Sequence, residues 1–225
     1  MNMLSLVLPC RNQADHIGSL IERYLRVLEN ARIRFELVMA PNLCRDETRA
    51  IVERFAAIDS RIRVVVNDLG GWGRSVRMGL DACRGDVLAY TNAARTDPES
   101  LPRFVELVRE SPESLIKARR VQRSAPIREL GSFLYNLEAR ALFGVGGDVN
   151  GTPKLFAADF YRSLDLKSTG DLLDLELMSH ARRRGLSIRE IEVPGFKRHG
   201  GKSTTTLASA WKMYVGAVKL RLGVL

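Results

Sequence analysis

Apolar and polar positions alternate between two periods along the first half of the chain. The run Leu4 to Leu8 predicts a buried strand, and Ile17, Leu20, Ile21, Tyr24, Leu25 and Leu28 recur at helical spacing within Ala14 to Asn30. Phe35 to Ala40 reads as a second strand, and Asp46 to Ala57 as a helix with Ile51, Val52 and Phe55 facing inward. Ile62 to Val66 is a third strand, Ser75 to Cys83 a third helix and Val87 to Thr91 a fourth strand. Strand and helix alternating through short connections predict an α/β fold, a mostly parallel Rossmann-like sheet with helices on both faces.

Beyond Asp97 the alternation loosens. Pro98 to Arg109 predicts a helix, Leu115 to Ala118 a short strand, and Ile127 to Phe143 a longer amphipathic helix. Leu155 to Ala157 has the length of an edge strand, Leu172 to Arg184 reads as a helix, and Ser187 to Val193 alternates like a strand stopped by Pro194. A basic, Gly- and Thr-rich loop, Lys197 to Thr206, leads into a last helix. No internal repeat or low-complexity tract interrupts the chain, so the expected organisation is one domain over 1–203 and a C-terminal amphipathic helical appendage over 204–225.

Composition sharpens this picture at three points. The 225 residues, 45% of them hydrophobic, suffice for one sizeable core. Cys10, Cys44 and Cys83 have no CxxC spacing and cannot all be paired, which favours a reducing compartment and disfavours structural zinc. MNMLSLVLPCRN lacks the charged start of a signal peptide, and the apolar residues from Leu207 onward are interrupted by Lys212, Lys219 and Arg221. The expectation is a cytoplasmic protein, peripheral at most on the inner face of the cytoplasmic membrane. The formal charge of +9 is concentrated at the end: Arg182 to Leu225 holds ten Lys/Arg against Glu190 and Glu192. An anionic partner near the C-terminus is expected, phosphate or membrane surface. Nucleic acid is not, because no recognisable module or aromatic-basic interleaving accompanies the charge.

Candidate chemistry gathers where the strands end. Pro9-Cys10-Arg11-Asn12-Gln13, Pro41-Asn42 with Asp46-Glu47-Thr48 beyond, and Asn92-Ala93-Ala94-Arg95 follow strands one, two and four; Gly70, Gly71 and Gly73 follow strand three. In a parallel sheet these ends share one rim, the edge at which open α/β sheets bind ligands.

Together these segments resemble the family 2 glycosyltransferases of the GT-A fold, in particular the branch that moves a sugar onto polyprenyl phosphate, the dolichyl-phosphate mannose synthase-like enzymes. LVLPCRNQ is similar to the family's opening strand and P-x-x-N-E turn, and GWGRSVRMGLDACRGD to its G-x-G-x-x-x-x-x-G-x-x-x-A-x-G-D. Asp148 to Phe156, DVNGTPKLF, resembles the D-x-N-x-x-P-K-x-F segment of polyprenyl-phosphate transferases. Asp171 to Glu176, Ile191-Glu192-Val193-Pro194, and Arg198-His199-Gly200-Gly201-Lys202-Ser203 echo the family's D-x-E helix, E-V-P strand and R-x-x-G-x-S loop, in the same order.

The resemblance implies transfer from a nucleoside diphosphate sugar to an anionic acceptor, polyprenyl phosphate above all, by single displacement with inversion. It implies a nucleotide-sugar site made of Pro9, Arg11, Asn12, Asn42, Asp46, Gly73, Asn92, Ala94 and Arg95. Asn12, Asn42 and Asp46 would hold the nucleoside and Arg95 the diphosphate. Arg119, Asn150, Lys154, Arg198 and Lys202 would meet sugar and acceptor phosphate, with Arg119, Arg120, Arg123 and Arg128 forming a basic patch beside the acceptor groove. Arg95, Lys154, Asp174 and Glu176 are the candidate catalytic residues; a solvated helix face is the alternative for the two carboxylates.

One departure stands out. The family's metal-binding D-x-D triplet is Asn92-Ala93-Ala94 here, with Asn92 alone a poor ligand. Mg²⁺ or Mn²⁺ is therefore disfavoured, and no organic cofactor is implied. Either fixed cations replace the ion, Arg95 first among them because a guanidinium binds phosphate bidentately, or the chain is a non-catalytic nucleotide-sugar-binding pseudoenzyme. Asp97 reads as the N-cap of the following helix, and Asp68 stands open between ligand and structure. The last helix carries Leu207, Trp211, Tyr214, Val215, Val218, Leu222 and Leu225 at helical spacing, flanked by Lys212, Lys219 and Arg221; a lipid interface and docking on the core or on a second subunit both fit.

Overall fold

The structure, a computed structural model, describes residues 3–95, 97–121, 126–194, 199 and 207–224, without the side-chain surroundings of 126–130 and 207–210. Seven strands form one sheet: β1 (Leu4–Cys10), β2 (Phe35–Pro41), β3 (Ile62–Val64), β4 (Val87–Tyr90), β5 (Ser114–Val121), β6 (Lys154–Ala157) and β7 (Ser187–Pro194). Their order is β3-β2-β1-β4-β6-β5-β7, and β6 alone runs against the rest.

Side-chain alternation along β1 explains how the two faces are filled. Leu4, Leu6 and Leu8 enter a core built with α1 (Ile17–Asn30), α2 (Thr48–Ile58) and α4 (Leu101–Glu110). Val7 points the other way, into a core shared with α3 (Trp72–Asp81), α6 (Ala158–Arg162) and α7 (Leu173–Arg183). A strand with both faces covered is mainly apolar, which is why Leu4–Cys10 shows no polar alternation; its one hydroxyl, buried Ser5, donates to Glu36 at 2.6 Å. Gly79 lets α3 lie close on β1, since a Cβ there would stand 2.3 Å from a Val7 methyl.

A third, smaller core joins α5 (Pro126–Phe143), α7 and α8 (Leu207–Leu222) through Tyr135, Ala139, Val149, Leu175, Met178 and Ala217. The last helix is docked here: Tyr214 donates its hydroxyl to the Gly131 carbonyl at 2.8 Å and packs edge-on against Tyr135.

Two sequence expectations for the second half are corrected. Leu155 to Ala157 is not an edge strand: β6 lies inside the sheet, paired antiparallel with β4 and β5, and the edge is β7. The strand expected at Leu115 to Ala118 runs for eight residues, Ser114–Val121, because pairing with the whole of β7 extends it. Among the described residues no helix is long and apolar enough to cross a membrane.

Candidate active site

The carboxyl ends of β1 to β5 and β7 and the start of β6 share one rim, so the loops expected to carry chemistry are brought together. Beyond β1–β3 the rim opens into a cleft of about 200 Å³ lined by Arg11, Arg45, Arg49 and Asp68, with Pro41, Leu43, Cys44 and Val66 as its apolar part. Both loops flanking it take left-handed backbone, Asn12 at φ 50° and Leu43 at φ 45°. Asparagine tolerates this conformation; leucine does not, and such strain persists where the surroundings enforce it. The buried Oδ1 of Asn42, between the cleft-lining Pro41 and Leu43, has no hydrogen-bond partner among the described residues. A larger cleft of about 300 Å³ between α3 and α6, lined by Arg77, Asp81, Tyr161 and Asp165, lies at the opposite end of the sheet from these loops.

Several expected ligands turn out to hold the loops themselves. Asn12 accepts from the Arg45 N–H (2.8 Å), fastening the β1 turn to the β2 turn. Asp46 accepts from the Ala14 N–H (3.0 Å) and from the Thr48 hydroxyl (2.5 Å), whose oxygen in turn accepts from the Gln13 N–H (2.7 Å). Partial burial opposes ionisation of Asp46, yet the hydrogen bonds from Thr48 and Ala14 prevail and keep its pKa below the usual value. Its carboxylate staples the two loops together.

Asn67 accepts from the Leu69 and Gly70 N–H groups and donates to Gly71 O and Ser75 Oγ, shaping the entry to α3. Gly71 adopts φ 96°, and a Cβ on Gly73 would sit 2.3 Å from Gly170 O. The first-turn N–H of Arg74 is already given to Thr169 O at 2.8 Å. Gly73 thus serves the approach of 169–170 rather than offering open backbone to a nucleotide.

At β4 the chain turns through Asn92, whose side-chain oxygen accepts from the Ala94 N–H at 2.9 Å. Ala93 and Ala94 are buried and bring no oxygen side chain; Arg95 is exposed on the rim. The His199 N–H donates to Ala94 O, and the His199 ring lies 5.8 Å from the His16 ring. Among the described residues no group of three or more His, Cys, Asp or Glu is placed to hold an ion. This donor set does not fit a hard divalent cation, which wants several oxygen ligands. Asp97 caps α4's leading turn, accepting from Glu99 N–H, and pairs with Arg23.

Beneath β4 and β6 lies a charged network inside the protein. Lys154, fully buried, donates to Asp174 Oδ1 (2.5 Å) and Gly151 O (2.8 Å), and Tyr90 donates its hydroxyl to the same Asp174 oxygen (2.5 Å). Burial pulls the Lys154 pKa down to about 8, against the opposing pull of Asp174. Lys117, also fully buried, donates to Asp148 O at 2.7 Å and pairs with Glu190. Arg120 grips Asp148 with two nitrogens at 2.7 Å. Glu176 accepts the Lys167 and Ser168 N–H groups at 2.7 and 2.8 Å, one on each oxygen.

Lys154 is therefore buried beneath the rim, and Asp174 and Glu176 are buried rather than on a solvated face, Asp174 bonded through Oδ1 and Glu176 through both oxygens. Arg119 does stand at the rim, sharing its charge with Glu192 and Glu190. Asn150 lies in the turn before β6 with its Oδ1 buried and unpartnered. Arg198, Lys202, Arg123 and the Arg128 side chain fall outside the described residues.

A family model described as Glycosyl transferase family 2 matches residues 5–159, which span β1 to β6. The chain belongs to glycosyl transferase family 2. A low-salt glycan biosynthesis hexosyltransferase of Haloferax volcanii is 26% identical over 218 residues, covering 93% of this chain and 51% of that protein. An undecaprenyl-phosphate 4-deoxy-4-formamido-L-arabinose transferase of Pseudomonas syringae pv. syringae is 27% identical over 148 residues, 64% of this chain and 44% of its own length. The chain thus spans about half the length, or less, of these relatives. Glucosyl-3-phosphoglycerate synthase of Mycobacterium tuberculosis, solved with Mn²⁺, uridine-diphosphate-glucose and phosphoglyceric acid, superposes with a TM-score of 0.77 at 20% identity. That superposition covers 100% of this chain and 81% of the other, and it shows a shared GT-A fold.

Arg45 and Arg49, which with Arg11 make the cleft basic, carry no motif that marks them in the sequence. Arg45 lies in the loop after β2 and Arg49 in the first turn of α2, and nothing local told which side chains there face the cleft. Tyr90, Lys117 and Glu190 were missed for the same reason: each looks like an ordinary strand residue until its neighbours from distant segments are placed.

Proposed function

We propose that this protein transfers a sugar from a nucleoside diphosphate sugar to an anionic acceptor, a polyprenyl phosphate, with inversion at the anomeric carbon. The observation that carries the reading is the arginine-lined cleft at the carboxyl ends of β1–β3, followed along the rim by the exposed Arg95 after β4. The cleft is apolar toward Pro41, Leu43 and Val66, which suits a base, and basic toward Arg11, Arg45 and Arg49, which suits phosphate.

The acceptor oxygen attacks the anomeric carbon from one face while the bond to the diphosphate breaks on the other; the nucleoside diphosphate leaves with the electron pair. Charge grows on the leaving oxygens, and Arg95 is the group positioned to offset it where the family has carboxylates and a metal. Transfer proceeds without a divalent ion in this reading. The state of the two buried carboxylates supports a phosphate acceptor. Asp174 is held through Oδ1 by Lys154 and Tyr90, and Glu176 on both oxygens by backbone N–H groups, an arrangement that favours a structural role over general-base work. A phosphate oxygen is ionised at neutral pH and needs no general base. Asn150 and Arg119, with Arg198 and Lys202 beyond the described residues, are the proposed acceptor contacts. Lipid-linked acceptor and nucleotide sugar would meet at the inner face of the cytoplasmic membrane, with the protein bound there peripherally.

The test is a transfer and donor-hydrolysis assay over uridine, guanosine and thymidine diphosphate sugars with polyprenyl phosphate, with and without EDTA. Turnover unchanged by EDTA is expected; loss restored by Mn²⁺ overturns the metal-free step. Binding with no turnover on any donor and acceptor pair marks a pseudoenzyme instead. Arg95→Ala should lower kcat far more than donor affinity, by about 10²-fold or more for a lost donor to a developing oxyanion. Equal effects on both would take Arg95 out of the chemistry.

A further inference from the structure

The last helix is apolar on two opposite sides, and only one of them is used inside the protein. Gly216, Ala217 and Leu220 turn inward, Gly216 so closely that a Cβ would stand 2.4 Å from Leu172. Trp211, Val215, Val218 and Leu222, at i, i+4, i+7 and i+11, fall on one stripe of the other side, with Trp211 69% and Leu222 70% exposed. Lys212 and Lys219 lie along one border of that stripe and Arg221 along the other, at angles fixed by the helical repeat. The packed neighbour α5 also presents large apolar side chains to solvent, Phe133, Leu134 and Leu137.

We propose that α8 is a docking surface for an anionic lipid bilayer, lying in the interface plane with Trp211, Val215, Val218 and Leu222 inserted and Lys212, Lys219 and Arg221 at the level of the lipid phosphates. Charge selects this occupant. The helix contains three cations and no Asp or Glu, so self-association through this stripe would set cations against cations, whereas an anionic surface neutralises all three. Tryptophan at an apolar-polar boundary suits an interface in which one edge of the ring is dry and the other wet. Docking rests on the polyprenyl-phosphate reading for its purpose, since it would bring the acceptor to the protein.

Sedimentation of the full chain with vesicles of phosphatidylcholine alone, and of phosphatidylcholine with phosphatidylglycerol, tests it. Binding to the anionic vesicles, released by salt, is expected, with little on the neutral ones. Trp211→Ser should weaken binding by about tenfold, the cost of withholding one large side chain from an apolar phase. Lys212→Gln and Lys219→Gln should each weaken it by about fivefold, the worth of one basic residue at an anionic surface. An unchanged thermal shift with uridine diphosphate confirms that each variant is folded. The proposal is overturned by absence of vesicle binding, by binding indifferent to Trp211→Ser, or by a dimer in analytical ultracentrifugation that Trp211→Ser dissolves. Transfer to a water-soluble phosphate acceptor is measured alongside: transfer without docking sinks this inference alone, and docking without transfer sinks only the functional reading.

Discussion

Lys154 shows what a single residue gains and loses by being placed inside. Its ammonium is out of water, held by Asp174 and the Gly151 carbonyl, and each partner's removal strands the other's charge. Lys154→Met alone should therefore destabilise by about 3–5 kcal/mol, and Lys154→Met with Asp174→Leu should recover much of that. Urea unfolding of the two variants measures the difference; equal losses would mean the pair is not coupled. The pH dependence has a definite sign. The folded pKa of about 8 lies below the model-peptide 10.5, so the unfolded chain binds this proton more tightly. The cost of keeping Lys154 charged is fully present below about pH 8 and is relieved as pH rises toward 10.5. Wild-type stability should accordingly gain on the double variant across that window, read from unfolding midpoints at each pH. Cysteine chemistry follows the same logic: burial pushes the Cys83 thiol up to about 12, so it should alkylate slowly at neutral pH.

At the scale of elements, the decisive contact is between the start of α3 and residues 168–170. Gly71 and Gly73 let Thr169 and Gly170 approach, and Glu176 on α7 holds that approach from behind through Lys167 and Ser168. Gly73→Ala would drive a methyl into the Gly170 carbonyl and should cost about 1–3 kcal/mol, as overpacking does. Glu176→Ala leaves two N–H groups without their acceptor and should loosen the same joint from the other side. Because the joint abuts the rim, both variants should weaken nucleotide binding without touching the nucleotide. A calorimetric titration with uridine diphosphate checks this; unchanged affinity would separate the joint from the cleft. The alternation of β1 to β4 with their helices was readable in sequence because each element's period is local. The interior place of β6 was not, since three apolar residues after a lysine look alike at an edge and between two strands, and pairing with β4 and β5 is a long-range matter.

For the molecule as a whole, ligand and fold are linked by mass action. A nucleoside diphosphate sugar at a hundred times its Kd should stabilise the protein by about 2.7 kcal/mol, a rise of roughly 5–11 °C in Tm for a chain of this size. The base giving the largest shift identifies the donor class, and no shift with any nucleotide would remove the cleft beyond β1–β3 from the site. The eight excess cations of the C-terminal segment were visible in the sequence. That its helix docks with Gly216 and Ala217 while turning Trp211 and Leu222 outward became visible only when α5 and α7 were in place.

The sequence by itself determined the fold, the rim and the absence of carboxylates at the β4 turn, because periodicity and strand polarity are carried by neighbours in the chain. Only tertiary structure decided which polar groups are spent. Asp46, Asp174, Glu176 and Lys154 all looked available as letters, yet each is bound to a partner from a distant segment. Arg45 and Arg49, unremarkable as letters, line the cleft. The physical reason is that burial forces polar groups to find partners wherever the fold brings them, and that search is settled in space rather than along the chain.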